Sequence, residues 1–171
     1  FDDAGLPDLI TLGDGSVVDF SYDEETYRLT STTSPLGTTS YEYDSAGQIE
    51  TISAPDGEVL SFVRDGSLLE SVTWSGSVSG TVGYEYDEDL RLGEIWVNGA
   101  SVAEYGYNDD GQLTGVGWIG FTHDPGTGQL ESTNVGLVDT DLTYDGFGDL
   151  ASQTAAFSGT SLYVESFDPR D

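Results

Sequence analysis

One spacing constrains this chain more than any other feature: a short motif of two aromatics and an aspartate returns about every 21 residues. It reads YEYDSAGQI at 41–49, YEYDEDLRL at 84–92 and YGYNDDGQL at 105–113. Aligned on the acidic position, the anchors are Asp2, Asp23, Asp44, Asp65, Asp87, Asn108, Asp124, Asp145 and Asp168, at intervals of 21, 21, 21, 22, 21, 16, 21 and 23. A motif found once can be a site. One that recurs in phase along the whole chain is a building unit, and a period of this length marks a repeat architecture. Residues 1–171 are therefore expected to form a single array of about nine units.

The unit is a hairpin. Tyr41 and Tyr43 stand two apart, as do Tyr84 and Tyr86, and Tyr105 and Tyr107. Side chains at i and i+2 share a face of a strand, so these rings form columns across neighbouring repeats, with Tyr22, Tyr144 and His123 in the same slot as Tyr43. After the rings comes a turn. The carboxylate of Asp44 accepts backbone N–H groups and Gly47 supplies positive φ, the chemistry of a type I turn followed by a glycine bulge. Asn108 to Gly111 repeats it, Asp145 to Gly148 is a variant and Asp65-Gly66 is tighter. Asp23 and Asp87 anchor the remaining copies in the same way. A second strand then begins at Ile49, Leu92, Leu113 and Leu150, each five residues past its anchor. Midway turns at GDG 13–15, PDG 55–57, NG 98–99 and SG 158–159 close each unit. Turn signals every 8–12 residues and no sustained helical period predict an all-β protein of repeated antiparallel hairpins.

Composition narrows the partners. The chain has 32 acidic residues against 4 basic ones, a formal net charge of -28, spread along its length. Such a surface repels nucleic acid and anionic lipid and is read as a solvated coat. Hydrophobic residues make up 36% and aromatics 12%, so the chain is not a disordered acidic tail. Its length suffices for a domain with a real core. There is no cysteine, hence no disulfide framework and no thiolate metal site. No apolar stretch approaches the roughly 20 residues of a membrane helix, and membrane insertion is not expected.

These motifs resemble YD repeats, also called Rhs repeats, with the pattern Y-x-Y-D-x-x-G-R-L. The arginine of that pattern is Gln48, Gln112, Gln129 or Asp149 here, and Arg28 and Arg91 keep it. The resemblance covers essentially the whole chain. It implies a long antiparallel sheet spiralling into a hollow shell, as in bacterial Rhs and toxin-complex proteins, where the shell encloses a toxic segment, and in teneurins, where a similar shell serves adhesion. About nine units are too few to close such a shell, so the expectation is a curved section of wall, excerpted from a longer one. The implied function is a structural module of a secreted or cell-surface protein. Its implied partners are neighbouring YD repeats of the same parent chain and an enclosed toxin or cargo. The alternative is an adhesion module that binds glycan or protein on its outer face. No enzymatic activity is expected.

The candidate sites are read as structural. His123 is the only histidine and lies in the tyrosine column, where it lacks the partners a catalytic base or metal ligand needs. Trp74, Trp96 and Trp118, 22 residues apart, are expected to stack as a further column on the return strands, with a sugar platform as the alternative. The acidic turns at 87–89 and 108–110 are the candidate calcium site, but the distal glutamate of an EF-hand is missing, and no cofactor is expected. HDPGTGQLES at 123–132 resembles a motif near the core end of Rhs proteins, where members of the family cleave themselves. With no lysine, a P-loop is excluded.

The charge predicts a response to salt. Self-repulsion at -28 opposes the compact state, and salt screens it, with a Debye length of about 10 Å at 0.1 M and about 3 Å at 1 M. Thermal midpoints should rise with sodium chloride, and magnesium and calcium should add no more at matched ionic strength. A calcium-specific rise at micromolar to low millimolar levels would establish ligation by the acidic turns.

Overall fold

A computed structural model describes Phe1 and residues 5–167; the outermost anchors, Asp2 and Asp168, lie outside the described residues. All regular structure is β: sixteen strands and, among the described residues, no helix. The chain separates into two compact units, Phe1–Tyr84 with Trp96–Ala100, and Glu85–Ile95 with Ser101–Asp171.

The first unit holds β1 (Leu9–Thr11), β2 (Val17–Tyr22), β3 (Leu29–Ser34), β4 (Gly37–Tyr43), β5 (Ile49–Ser53), β6 (Val59–Asp65), β7 (Leu68–Ser75) and most of β8 (Gly80–Tyr86). β9 (Leu92–Val97) is shared between the units. The second unit holds nearly all of β10 (Ala100–Tyr107) and the whole of β11 (Leu113–Val116), β12 (Ile119–His123), β13 (Leu130–Val135), β14 (Val138–Tyr144), β15 (Leu150–Phe157) and β16 (Thr160–Ser166). Within each unit every strand pairs antiparallel with the next in sequence, an uninterrupted meander.

The anchor turns are built as their sequence dictates. In the Asp44 turn, the Asp44 N–H donates to Gln48 O at 2.9 Å and the Gly47 N–H to Asp44 O at 2.9 Å. Gly47 and Gly111 have φ of 81° and 77°. The turn forces a bulge on the return strand. Tyr43 faces Ile49 while Glu42 faces Thr51, leaving Glu50 as the extra residue. The same slip recurs beside Tyr22, Arg64, Tyr107, His123 and Tyr144. Because one extra residue reverses the alternation, Ile49 and Ile52, three apart, both reach the tyrosine face.

The two faces of the sheet differ sharply. Tyr41, Ile52, Leu60 and Trp74 stand opposite one another in successive pairs, as do Phe62, Val72 and Val82. In the second unit Tyr105, Val116, Ile119, Val135 and Val138 do the same. The opposite face carries mainly hydroxyls and carboxylates, with Val63 and Trp96 among them. Thr33 and Thr38 share a hydrogen bond at 2.9 Å, Thr73 and Thr81 at 3.1 Å, and Thr143 and Ser152 at 2.7 Å.

The expected core is absent: no hydrophobic side chain among the described residues is fully buried. A sheet one layer thick can cover its side chains only with their neighbours on the same face, so they are half-buried. Gly83, under the Trp96 ring, is the one buried residue described.

The tryptophan column also fails, for reasons of register. The tight Asp65 turn is one residue shorter, so Arg64 faces Leu69, and this shift brings Trp74 to the tyrosine face opposite Leu60 and Gly80. Trp96 covers Gly83, which pairs with Ser71 and so lies on the hydroxyl face. In the 16-residue unit β11 has only four residues, and Trp118 falls in the following turn, 93% exposed. Equal spacing in sequence here places three rings in three environments.

Among the described residues four turns use a residue with a Cβ at positive φ, Asn98 and Ser158 in midway turns and two more in anchor turns. Leu90 takes the Gly47 slot at φ 61°, and Tyr27 takes the Gly128 slot of a six-residue turn at φ 56°. A left-handed conformation costs an L-residue about 1–2 kcal/mol, and Leu90 is 66% exposed, so little packing offsets the strain. Leu90→Gly should raise stability by on the order of 1 kcal/mol, and Gly111→Val should lower it by about 1–2 kcal/mol, each read as a shift of the denaturation midpoint. An unchanged midpoint in either variant would contradict this description of the turn.

Candidate functional site

The recurrent feature of the molecule is the joint between consecutive repeats. Its first element is a side chain from the tyrosine column. The Tyr43 hydroxyl donates to the Leu29 carbonyl of the preceding hairpin at 2.8 Å. Tyr22 donates to Pro7 O at 2.9 Å, Tyr107 to Leu92 O at 3.0 Å and Tyr144 to Leu130 O at 2.8 Å. In three of these four joints the acceptor is the carbonyl of the residue that opens the return strand. In the degenerate fourth repeat Arg64 replaces the tyrosine, and its guanidinium donates to Ile49 O at 2.5 Å. Each bond links residues 14 or 15 apart, from one hairpin to the next.

The second element is the arginine or glutamine that follows the left-handed residue of the turn, a glycine before each glutamine and Tyr27 or Leu90 before the arginines. Gln48, Gln112 and Gln129 reach forward and donate through Nε2 to the carbonyls of Gly66, Gly128 and Gly148, at 3.0, 2.8 and 2.9 Å. Arg28 and Arg91 lie over the next repeat's rings, Tyr43 at 5.6 Å and Tyr107 at 4.5 Å. The turn glycine is thus constrained twice, by its positive φ and by the side chain lying against it: a Cβ at Gly47 would collide with the Arg28 guanidinium, and one at Gly128 would sit 2.7 Å from Gln112 Nε2. The glutamines that depart from the Y-x-Y-D-x-x-G-R-L pattern therefore have a structural role. They keep a forward-pointing donor, which is the property the position uses.

The third element is the anchor. Asp44 Oδ1 accepts the Gln48 N–H at 2.8 Å, Asp145 Oδ1 accepts Phe147 and Asp149 N–H, and Asn108 Oδ1 accepts Asp110 and Gln112 N–H. An amide oxygen serves as well as a carboxylate, which explains why Asn108 is tolerated. Where carboxylates anchor the six-residue turns, their acidity rises. The Thr26 hydroxyl and N–H hold Asp23 below the ordinary carboxylate range, and the Thr127 N–H and hydroxyl do the same for Asp124, against slight desolvation. At Asp87 desolvation opposes the shift, but bonds from the Arg91 N–H and guanidinium prevail and lower it.

Other candidates fall outside this joint. His123 lies opposite Leu130 in the tyrosine column, with Nδ1 buried and lacking a hydrogen-bond partner among the described residues. At 87–89 the carboxylates of Asp87 and Asp89 hold Arg91, at 2.8 and 3.0 Å. Among the described residues no group of three or more His, Cys, Asp or Glu side chains could hold a metal ion. The left-handed Leu90 and Tyr27 and the bridging glutamines were not read from the sequence; the signal for the glutamines was their fixed place after the turn glycine.

An antiparallel meander of hairpins stitched by tyrosine hydroxyls defines a YD-type repeat wall. The chain belongs to the teneurin YD-shell family, whose model matches residues 4–168. Among solved structures it is similar to TcdB2–TccC3 with Cdc42, at 16% identity and a TM-score of 0.60, over 97% of this chain and 9% of that one. A Photorhabdus luminescens Tc holotoxin pore carrying the TccC3-D651A mutation matches at 15% and 0.62, again over 97% and 9%. TcdB2–TccC3 matches at 16% and 0.61, over 97% and 10%. At these identities the likeness is one of fold, and the chain spans about a tenth of those chains. No curated protein sequence matches it. The module is a structural repeat array of the shell type.

The hydroxyl stitch can be tested alone. Tyr43→Phe removes one hydrogen bond and keeps the ring, so it should cost about 0.5–1.5 kcal/mol. Removing the corresponding atom at Tyr41, which has the same ring but sits one column back, provides the control. Equal losses for the two variants in urea unfolding would show that the bond to Leu29 O carries no weight.

Proposed function

We propose that this chain is a section of wall in the shell of a secreted or cell-surface YD-repeat protein, and that its tyrosine face lines the space in which a toxin or other cargo segment is held. The observation that carries this reading is the segregation of the faces. Apolar side chains run from Tyr41 through Ile52, Leu60 and Trp74 with no second layer of the described residues to cover them. An exposed apolar surface of this extent marks an interaction face. The other face, with Val63 and Trp96 as its apolar exceptions, is mainly hydroxyl and carboxylate and is suited to bulk water. In this reading the wall performs no chemistry: it excludes solvent and holds a chain.

A second reading, recognition of glycan or protein, is favoured by one feature. Trp118 projects from its turn at 93% exposure beside Val102, over a cleft of about 350 Å³. Aromatic residues of this kind are enriched at binding hot spots.

Limited proteolysis of the natural full-length protein separates the two. If the wall encloses cargo, segments outside the repeat array resist protease until the shell is unfolded, then are cut at once. Cleavage of every such segment in the intact protein, at the rate seen after unfolding, would overturn enclosure and leave recognition.

A further inference from the structure

On the tyrosine face of the first unit, between two consecutive hairpin turns, lies a pocket of about 310 Å³. Trp74, Ile52 and Leu60 form its floor, Val78 rises over it from the turn after β7, and Glu58 and Ser75 stand at its margin. The three floor residues are cross-strand partners in line. The Trp74 ring lies against Gly80, where a Cβ would strike the indole. Val78 is 69% exposed and Leu60 39%, so apolar surface remains open to whatever approaches. The carboxylate at the margin is set in place, because the Ser77 hydroxyl donates to Glu58 Oε1.

Size and chemistry choose the occupant. At about 310 Å³ the pocket sits at the lower bound for small-molecule sites, which run to about 1,000 Å³. It suits one anchoring side chain rather than a whole ligand. A sugar would need several converging polar groups around the ring face. Here Trp74 is flanked by Ile52, Leu60 and Val78. The only charged group in the lining is a carboxylate, on a chain of 32 acidic and 4 basic residues, so charge complementarity calls for a cation next to the anchor.

We propose that the Trp74 pocket is an anchoring point for a polypeptide segment, taking an aromatic or aliphatic side chain onto Trp74, Ile52, Leu60 and Val78 while Glu58 receives a basic residue beside it. That the occupant is a polypeptide rests on the enclosure reading above; the pocket's preference for an apolar group next to a cation does not. The anchor would desolvate the indole, and a cation near its face gains further from the ring quadrupole.

The test uses the indole N–H resonances of the 171-residue chain, with Trp74 assigned from Trp74→Phe. N-acetyl-Phe-Lys-amide should shift the Trp74 resonance in a saturable way and leave that of Trp118 in place. N-acetyl-Phe-Glu-amide should bind about two- to fivefold more weakly, the scale of an exposed ion pair, and Glu58→Gln should abolish the difference. Val78→Asp should weaken both peptides; Glu58→Gln, an exposed isosteric change, keeps the test informative if that variant does not fold. No shift with the lysine peptide, equal binding of the two peptides, or a shift with maltotriose but not with peptide would overturn the proposal. Peptide binding in a protein whose non-repeat segments are freely cleaved would retain the site and remove enclosure. Protected segments with no peptide binding would do the reverse.

Discussion

A tyrosine hydroxyl reaching one hairpin back is the interaction on which the rest of this molecule depends. Within each unit the strands form a single layer, and no hydrophobic side chain described is fully buried. Stability cannot come from a central core, so it accumulates at the contacts between neighbours, as in other repeat proteins. The Tyr43–Leu29, Tyr107–Leu92 and Tyr144–Leu130 bonds each end on the residue that opens a return strand, just past an anchor turn. Turn, bulge and stitch are therefore one device. Aspartate and glycine make the turn, the turn makes the bulge, and the return strand opens on the acceptor.

This economy explains which departures from the repeat are tolerated. Arg64 substitutes for tyrosine because the joint needs a donor of sufficient reach, and a guanidinium has one. Glutamine substitutes for arginine because its amide still reaches the next turn's carbonyl. Asn108 substitutes for aspartate because the turn needs an oxygen acceptor and not a charge. Leu90 and Tyr27 preserve the geometry at the cost of backbone strain. His123 fits the column without a partner for Nδ1 among the described residues. What each position requires is a hydrogen-bonding role and a backbone conformation, more than a residue type.

The separation of chemistry between the faces gives the wall its direction. Aromatics and aliphatics gather on one side because bulges return the strand-opening residue and the residue three later to the same face. Hydroxyls pair across strands on the other, and much of the acidic excess lies there and in the turns. A single-layer wall with one apolar and one polar face is incomplete as a solvated object, and this incompleteness motivates both the enclosure reading and the anchoring role assigned to Trp74.

The sequence by itself determined the all-β hairpin array, because the local chemistry of Asp44, Gly47, Asn108 and Gly111 specifies turns without help from distant residues, and aromatics two apart specify a strand face. It could not determine faces after a change of loop length. Trp74, Trp96 and Trp118 recur every 22 residues, yet a turn one residue shorter and a strand cut to four residues send them to opposite faces and to an exposed tip. Nor could it show that no core would form, since burial depends on whether a second layer exists and not on hydrophobic content. The forward reach of Gln48, Gln112 and Gln129, and the pocket at Trp74, belong to the tertiary structure for the same reason: each joins residues from different hairpins, and only strand register decides which of them meet.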